Sequence, residues 1–261
     1  METVYYYQTF DGLDKLLSHP KDINMIIISS IHFGKDKQGI QNIYLNDNLP
    51  DDKIFDILWK ETKELSDKNV KIKCMMGGAG YAYRQLFSSF DTYYPMLVNM
   101  IQKHPWISGI DLDIEEEVDL NNVKMLIDRL DQDFGNDFTI SMAPISSSLE
   151  NDGVGMGNFS YKELYNSDQG KRINWFNCQA YDSFNVDTLS RIVNNGYPAN
   201  KIIMGMTSTS FTGDTFIEEI KKIKKEYPDI KGFYDWEYFD APPLCQEDPS
   251  EWCKLIKELN N

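Results

Sequence analysis

The sequence predicts an α/β fold, a single (β/α)8 TIM barrel covering residues 1–261 as one catalytic domain. Three observations predict it. Eight short apolar or β-branched runs alternate with amphipathic stretches, over a length that one such barrel fills. No Pro/Gly/Ser-rich linker, internal repeat or low-complexity tract divides the chain. The turn after the first run, Tyr7-Gln8-Thr9-Phe10, lacks the glycines with which a doubly wound open sheet cradles a phosphate.

In chain order, a tyrosine-rich strand is expected at 3–8, followed by a weakly patterned connection at 13–18. An isoleucine-rich strand at 24–33 leads to a helix at 51–68. Pro50 suits that helix's first turn, and Ile54, Ile57, Leu58 and Leu65 recur at helical spacing. A strand at 70–76 precedes a helix at 81–103. The strand at 108–114 precedes a helix at 118–134, whose apolar stripe is Val123, Leu126, Ile127 and Leu130. Strands at 138–143, 174–181, 201–207 and 231–236 then alternate with helices at 161–166, 186–195, 214–227 and 249–259.

Hydrophobic residues make up 41% and charged residues 26%, a globular balance. The formal charge of −15 and pI near 4.6 repel phosphate backbones and anionic membranes, so neither nucleic acid nor membrane is an expected partner. A neutral glycan is indifferent to that charge. No apolar run approaches the roughly 20 residues that span a bilayer. The segment from Met1 to Tyr7 has no basic stretch followed by an apolar one, so the expectation is an intracellular product, or a secreted one whose leader has been trimmed. Cys74, Cys178, Cys245 and Cys253 form no C-x-x-C pair and have no His at metal spacing, so no metal or cofactor is expected. Cys74 and Cys178 read as buried thiols, while the sequence leaves open whether Cys245 and Cys253 are bridged, with no bridge favoured.

Activity on a barrel belongs at the C-terminal ends of the strands. Those ends carry Tyr7, His32 and Phe33, Gly77 and Gly78, Asp113 to Glu115, Ala143 and Pro144, Tyr181 and Asp182, Thr207 and Ser208, and Trp236. Within 108–115, the two-residue period of a strand puts Asp111, Asp113 and Glu115 on one face and Ile110, Leu112 and Ile114 on the other. Three carboxylates about 6.5 Å apart in a partly buried file must share protons, which raises at least one pKa. A protonated acid at a strand end is what protonation of a glycosidic leaving oxygen requires. The neighbouring Glu116, Glu117 and Asp119 read instead as acids favoured in a helix's first turn. That account does not reach Asp111 and Asp113, which lie inside an apolar strand.

These residues resemble glycoside hydrolase family 18, which includes many chitinases and some endo-β-N-acetylglucosaminidases. Asp111, Asp113 and Glu115 match the last three acids of its D-x-x-D-x-D-x-E strand, with Ser108 at the first position. Met75-Met76-Gly77-Gly78 is similar to the third-strand S-x-G-G, with Met75 for Ser. Met142-Ala143-Pro144, Gln179-Ala180-Tyr181-Asp182 and Gly232-Phe233-Tyr234-Asp235-Trp236 resemble the fifth, sixth and eighth strand ends. The resemblance implies a retaining, substrate-assisted hydrolysis of N-acetylglucosamine linkages. In it Glu115 is acid and then base, Asp113 holds the acetamido N–H, Asp111 shares a proton with Asp113, and Tyr181 orients the acetamido carbonyl. It also implies sugar contacts from Trp236, Gln179, Asp182, Gly77, Gly78, Ala143, Tyr7 and Phe33. Met75 removes a hydroxyl that supports the buried acids in the family, and Tyr5 or Tyr7 is expected to help hydrogen-bond them.

His32 reads as a structural group or part of the groove lining with Phe33, Tyr81 and Phe184 as the aromatics nearest the strand ends, and Trp59, Trp106, Trp175 and Trp252 as core. The short stretch between Thr207 and Lys231 has no room for an α+β insertion, which predicts an open groove and endo cleavage. The expectation is a monomeric chitinase acting on chitin or another N-acetylglucosamine-containing glycan. An endo-β-N-acetylglucosaminidase acting on the N-glycan core is the alternative. A chitin-binding lectin is the non-enzymatic one, disfavoured by the presence of Glu115.

Overall fold

A computed structural model describes residues 1–259. Its strands are β1 (Glu2–Tyr7), β2 (Met25–Lys35), β3 (Gln41–Leu45), β4 (Lys71–Gly77), β5 (Ile107–Asp113), β6 (Thr139–Met142), β7 (Ile173–Gln179), β8 (Ile202–Thr207) and β9 (Gly232–Trp236). Eight of them are parallel and close on themselves, because β1 pairs with both β2 and β9. The (β/α)8 barrel read from the sequence is the fold.

The strands are buried on both faces, which is why they read as nearly continuous apolar runs. Their alternation divides the core in two. Val4, Tyr6, Met25, Ile27, Met75, Trp175, Ile203 and Tyr234 fill the barrel interior. Tyr5, Tyr7, Ile26, Ile28, Cys74, Met76, Ile110 and Leu112 belong to the larger cluster packed under the helices. A side-chain period of two sorts neighbouring tyrosines onto opposite sides of one wall.

The helices follow their apolar stripes. Val123, Leu126, Ile127 and Leu130 are all buried on the helix Leu120–Phe134, whose first turn is capped by Asp119 accepting from Asn121 N at 2.7 Å. Asn185 caps Val186–Asn194 in the same way, accepting from Thr188 N at 3.0 Å. The expected helix at 81–103 is two, Ala82–Ser88 and Phe90–Lys103, broken at Ser89. The stripe expected on 51–68 is only half right: Leu58 and Leu65 are buried, while Ile54 and Ile57 are exposed. Ile54 lies in a 3-10 turn before the helix, which begins only at Asp56.

Two features lie outside the expected pattern. β3 returns antiparallel along the extended end of β2, pairing Ile31 with Leu45 and Phe33 with Ile43. This hairpin raises one wall above the barrel mouth. A short helix, Ser146–Glu150, follows β6. Between β8 and β9 lies a single helix, Phe216–Glu226, with no inserted domain. All four cysteines are free, and Cys245 is exposed. Among the described residues no helix is long and apolar enough to cross a membrane, and no cluster of His, Cys, Asp and Glu is arranged to hold a metal ion.

Candidate active site

Inward-facing positions of β5 place Asp111 deepest and Asp113 above it, with Glu115 just past the strand end. Asp111 is fully buried and Asp113 nearly so, whereas Glu115 is half-buried. Above them opens a cavity of about 960 Å³, lined by Asp113, Glu115, Gln179, Tyr181, Trp236, Gly77, Gly78 and Phe33 among others. A volume of this order accommodates a ligand of several rings.

Each acid has its own partners. Asp111 accepts three hydrogen bonds, from Tyr6 Oη at 2.6 Å, Ser141 Oγ at 2.5 Å and Asn177 Nδ2 at 2.9 Å. Three donors complement a carboxylate. Gln179 Nε2 spans the upper pair, reaching Asp113 Oδ1 at 3.0 Å and Glu115 Oε1 at 3.3 Å, and is anchored on the Ala143 carbonyl at 2.8 Å. Burial raises the Asp113 pKa well above the usual carboxylate range. The charges of Glu115 and Asp111 raise it further, and the Gln179 hydrogen bond opposes them. The middle carboxyl of the file therefore keeps a proton that an exposed aspartate would shed.

The glycines after β4 bring the backbone close to these acids. Gly77 and Gly78 have φ of 102° and 76°, and Gly78 N donates to the Asp113 carbonyl at 2.9 Å. A side chain at Gly77 would meet that carbonyl, so the approach depends on glycine twice, for conformation and for space. On the opposite side Tyr181 follows β7, and its hydroxyl receives a hydrogen bond from Tyr234 Oη at 3.3 Å. The Trp236 ring packs against Tyr6, with centroids 5.3 Å apart.

Several expected contacts are placed otherwise. Tyr7 faces the helices, packs on Phe10 and Tyr238, and accepts from Gly12 N at 2.7 Å. Tyr5 likewise points outward, its hydroxyl donating to the Pro249 carbonyl at 2.7 Å. The tyrosine that reaches the inner acids is Tyr6, because the inward parity of β1 is even-numbered. Asp182 turns out into solvent beyond β7 and does not line the cavity. Ala143 is buried and contributes its carbonyl to Gln179, not its side chain to the cavity. Phe184 packs on Phe211 and Phe233, and Tyr81 is exposed; neither lines the cavity. Trp59 and Trp106 are only partly buried, whereas Trp175 lies in the barrel interior and Trp252 in the outer core. Of the outlying acids, only Asp119 caps the helix that follows. Glu116 accepts from Tyr83 N at 2.7 Å at the start of Ala82–Ser88, and Glu117 accepts from Asn158 Nδ2.

Met75 is inward and lines the cavity floor, with Ser29 Oγ 3.6 Å from its sulfur. The hydroxyl missing at that position is supplied to Asp111 from β6 by Ser141, which the strand register sets beside it. Ser141, Asn177 and Tyr6 were not singled out from the sequence. Asn177 was within reach, since it shares its strand face with Gln179 two residues on. The cavity also takes in Gln8, Ser30, His32, Tyr44 and Asn46. His32 pairs with Ser30 Oγ at 2.8 Å, and burial lowers its pKa.

Comparison with solved structures gives full-length matches. A fungal endo-β-N-acetylglucosaminidase from glycosyl hydrolase family 18 is 30% identical, with a TM-score of 0.85 over 98% of this chain and 96% of that one. A chitinase from Aspergillus fumigatus is 28% identical, with a TM-score of 0.85 over 100% and 99% of the two chains. A family 18 chitinase from Pseudoalteromonas aurantia shares the fold at 20% identity, with a TM-score of 0.74 over 99% of each chain. No protein-family model matches the sequence, and no curated protein does.

Proposed function

The chain belongs to glycosyl hydrolase family 18 and is a glycoside hydrolase, and from that premise we propose that it cleaves β-1,4-linked N-acetylglucosamine polymers, chitin or chitooligosaccharides, with retention. The observation that carries this reading is the joined pair Asp113 and Glu115 facing Tyr181 and Trp236 across one cavity, where burial raises the Asp113 pKa.

Each group has a step suited to its place. Glu115, the most accessible of the three acids, gives its proton to the glycosidic oxygen. The substrate's own acetamido oxygen attacks the anomeric carbon from the opposite face and closes an oxazolinium ring. Asp113 accepts the acetamido N–H once its proton has passed to Asp111, and its charge then faces the developing cation. Tyr181, whose hydroxyl accepts from Tyr234, has its own proton for the acetamido carbonyl. Trp236 offers a ring to the apolar face of the sugar. Glu115, now ionised, activates the water that opens the ring, and two inversions give net retention.

The absence of an insertion between β8 and β9 leaves the groove open on that side, which favours cuts within a polymer over processing from an end. A second reading, cleavage of the N-glycan core, is favoured by the likeness to the fungal endo-β-N-acetylglucosaminidase. Incubation with chitin hexamer and, separately, with a high-mannose glycoprotein decides between them. The chitinase reading expects β-anomeric products from internal bonds of the hexamer and no released glycan. Cleavage of the glycoprotein alone overturns it, and saccharide binding without cleavage of either substrate would make the chain a lectin.

A further inference from the structure

A lysine lies in the barrel beneath the acids. Lys73 is on β4, inward-facing like Met75, and is fully buried. Its chain passes Gly109, where a Cβ would sit 2.9 Å from Lys73 Cε and closer still to Thr139, so the glycine leaves room for both. Nζ donates to Ser141 Oγ at 2.6 Å and lies 4.0 Å from the centroid of the Trp175 ring. Ser141 donates in turn to Asp111 Oδ1 at 2.5 Å. A hydroxyl has one hydrogen to give, so accepting from Lys73 fixes that hydrogen on Asp111 and gives the chain a direction. An ammonium removed from water is costly unless a counter-charge faces it.

We propose that Lys73 is a positioning residue of this hydrolase: through the Ser141 hydroxyl it holds negative charge on Asp111, which keeps Asp111 free to take the proton of Asp113. The proposal rests on the reading of Asp113 and Glu115 as the reacting acids. Asp111 faces Lys73 from β5 as the opposite charge, while Lys71 on its own strand, Lys231 before β9 and Arg172 before β7 are like charges. Tyr6 on β1, Asn177 on β7 and Asp113 complete the surroundings of Asp111. Burial draws Lys73 down to about 7, with Asp111 opposing it, so the chain is charged in mild acid and neutral in mild alkali.

The test is the pH profile of kcat on chitin hexamer for wild type, Lys73→Met and Ser141→Ala. Without the ammonium a second proton reaches the acid pair at higher pH, and Asp113 then has no place to pass its own. A displacement of about one pH unit makes the Lys73→Met deficit approach roughly ten-fold on the acid limb of the profile, closing toward none in mild alkali, where the wild-type lysine is itself neutral. Ser141→Ala, which keeps the lysine and cuts the bridge, follows the same curve, and the double variant is no worse than either single one. A purely structural role lowers the rate by one factor at every pH, and such a flat ratio overturns the proposal. Should Lys73→Met fail to fold, the Ser141→Ala profile decides.

Carboxyl ¹³C NMR of aspartate-labelled protein reads the coupling without turnover. The Asp113 signal should titrate at a changed pH in either variant, and an unchanged titration overturns the relay even in an active enzyme. A wild type that leaves every N-acetylglucosamine substrate intact while the carboxyl shift is present sinks the functional reading and leaves the relay standing.

Discussion

Replacement of Lys73 by methionine has a consequence for stability that depends on pH in a calculable way. Burial lowers the Lys73 pKa from an ordinary 10.5 to about 7. Between those values the unfolded chain binds a proton that the folded chain has released, so stability rises with pH across that window. The ceiling is about 5 kcal/mol, from roughly 3.5 pH units at ~1.36 kcal/mol each. From about pH 7 to about pH 9, single-site linkage gives ~2 kcal/mol. Methionine fills a similar straight-chain volume and carries no charge, so its stability lacks this component. Urea unfolding followed by tryptophan fluorescence at several pH values in that range measures both proteins. The wild type should gain ~2 kcal/mol relative to Lys73→Met between the two ends. A difference that stays constant with pH, or that moves against the wild type, refutes a buried lysine titrating near neutrality.

Glu115→Gln should lower kcat on chitin hexamer by about 10²–10⁴-fold while leaving oligosaccharide affinity nearly intact, read by product chromatography and titration calorimetry. Asp113, whose pKa burial raises, works in the opposite sense to a salt-bridged acid: its contribution is fullest below the unfolded pKa and is lost as pH rises toward the folded one. Asp113→Asn is therefore expected to be more stable than wild type at neutral pH, with the advantage fading in acid; a urea series at several pH values checks it. Tyr6→Phe removes one of three donors to Asp111 and should cost about 1.5–3 kcal/mol of folding stability, whereas Tyr7→Phe should leave activity near wild type. Trp236→Ala is expected to raise KM several-fold with a smaller effect on kcat, since ring stacking contributes about 0.5–1.5 kcal/mol.

Much of this was legible because barrel strands announce themselves. All eight appeared as apolar runs, each within a residue or two of its observed ends. The file Asp111, Asp113, Glu115 was legible because three acids at two-residue spacing, separated by Ile and Leu, admit a single division into faces. The first strand allowed no such division. Tyr5, Tyr6 and Tyr7 are identical in chemistry, and an error of one residue exchanges interior for exterior. Tyr6 was passed over for that reason.

The hairpin strand β3 was missed because Gln41–Leu45 is short, half-exposed and only weakly apolar, and its pairing is decided by the length of β2. Ile54 and Ile57 misled because helical spacing specifies a stripe but not where a helix starts.

The sequence by itself determined the barrel, the strand that carries the acids and the file they form, since each follows from a local period of apolar and charged residues. Only the tertiary structure decided which groups surround that file. Tyr6, Ser141 and Asn177 converge on one carboxylate from three strands, Lys73 reaches it through Ser141 from a fourth, and barrel closure and strand register bring together positions up to 171 residues apart, a proximity that no local pattern encodes.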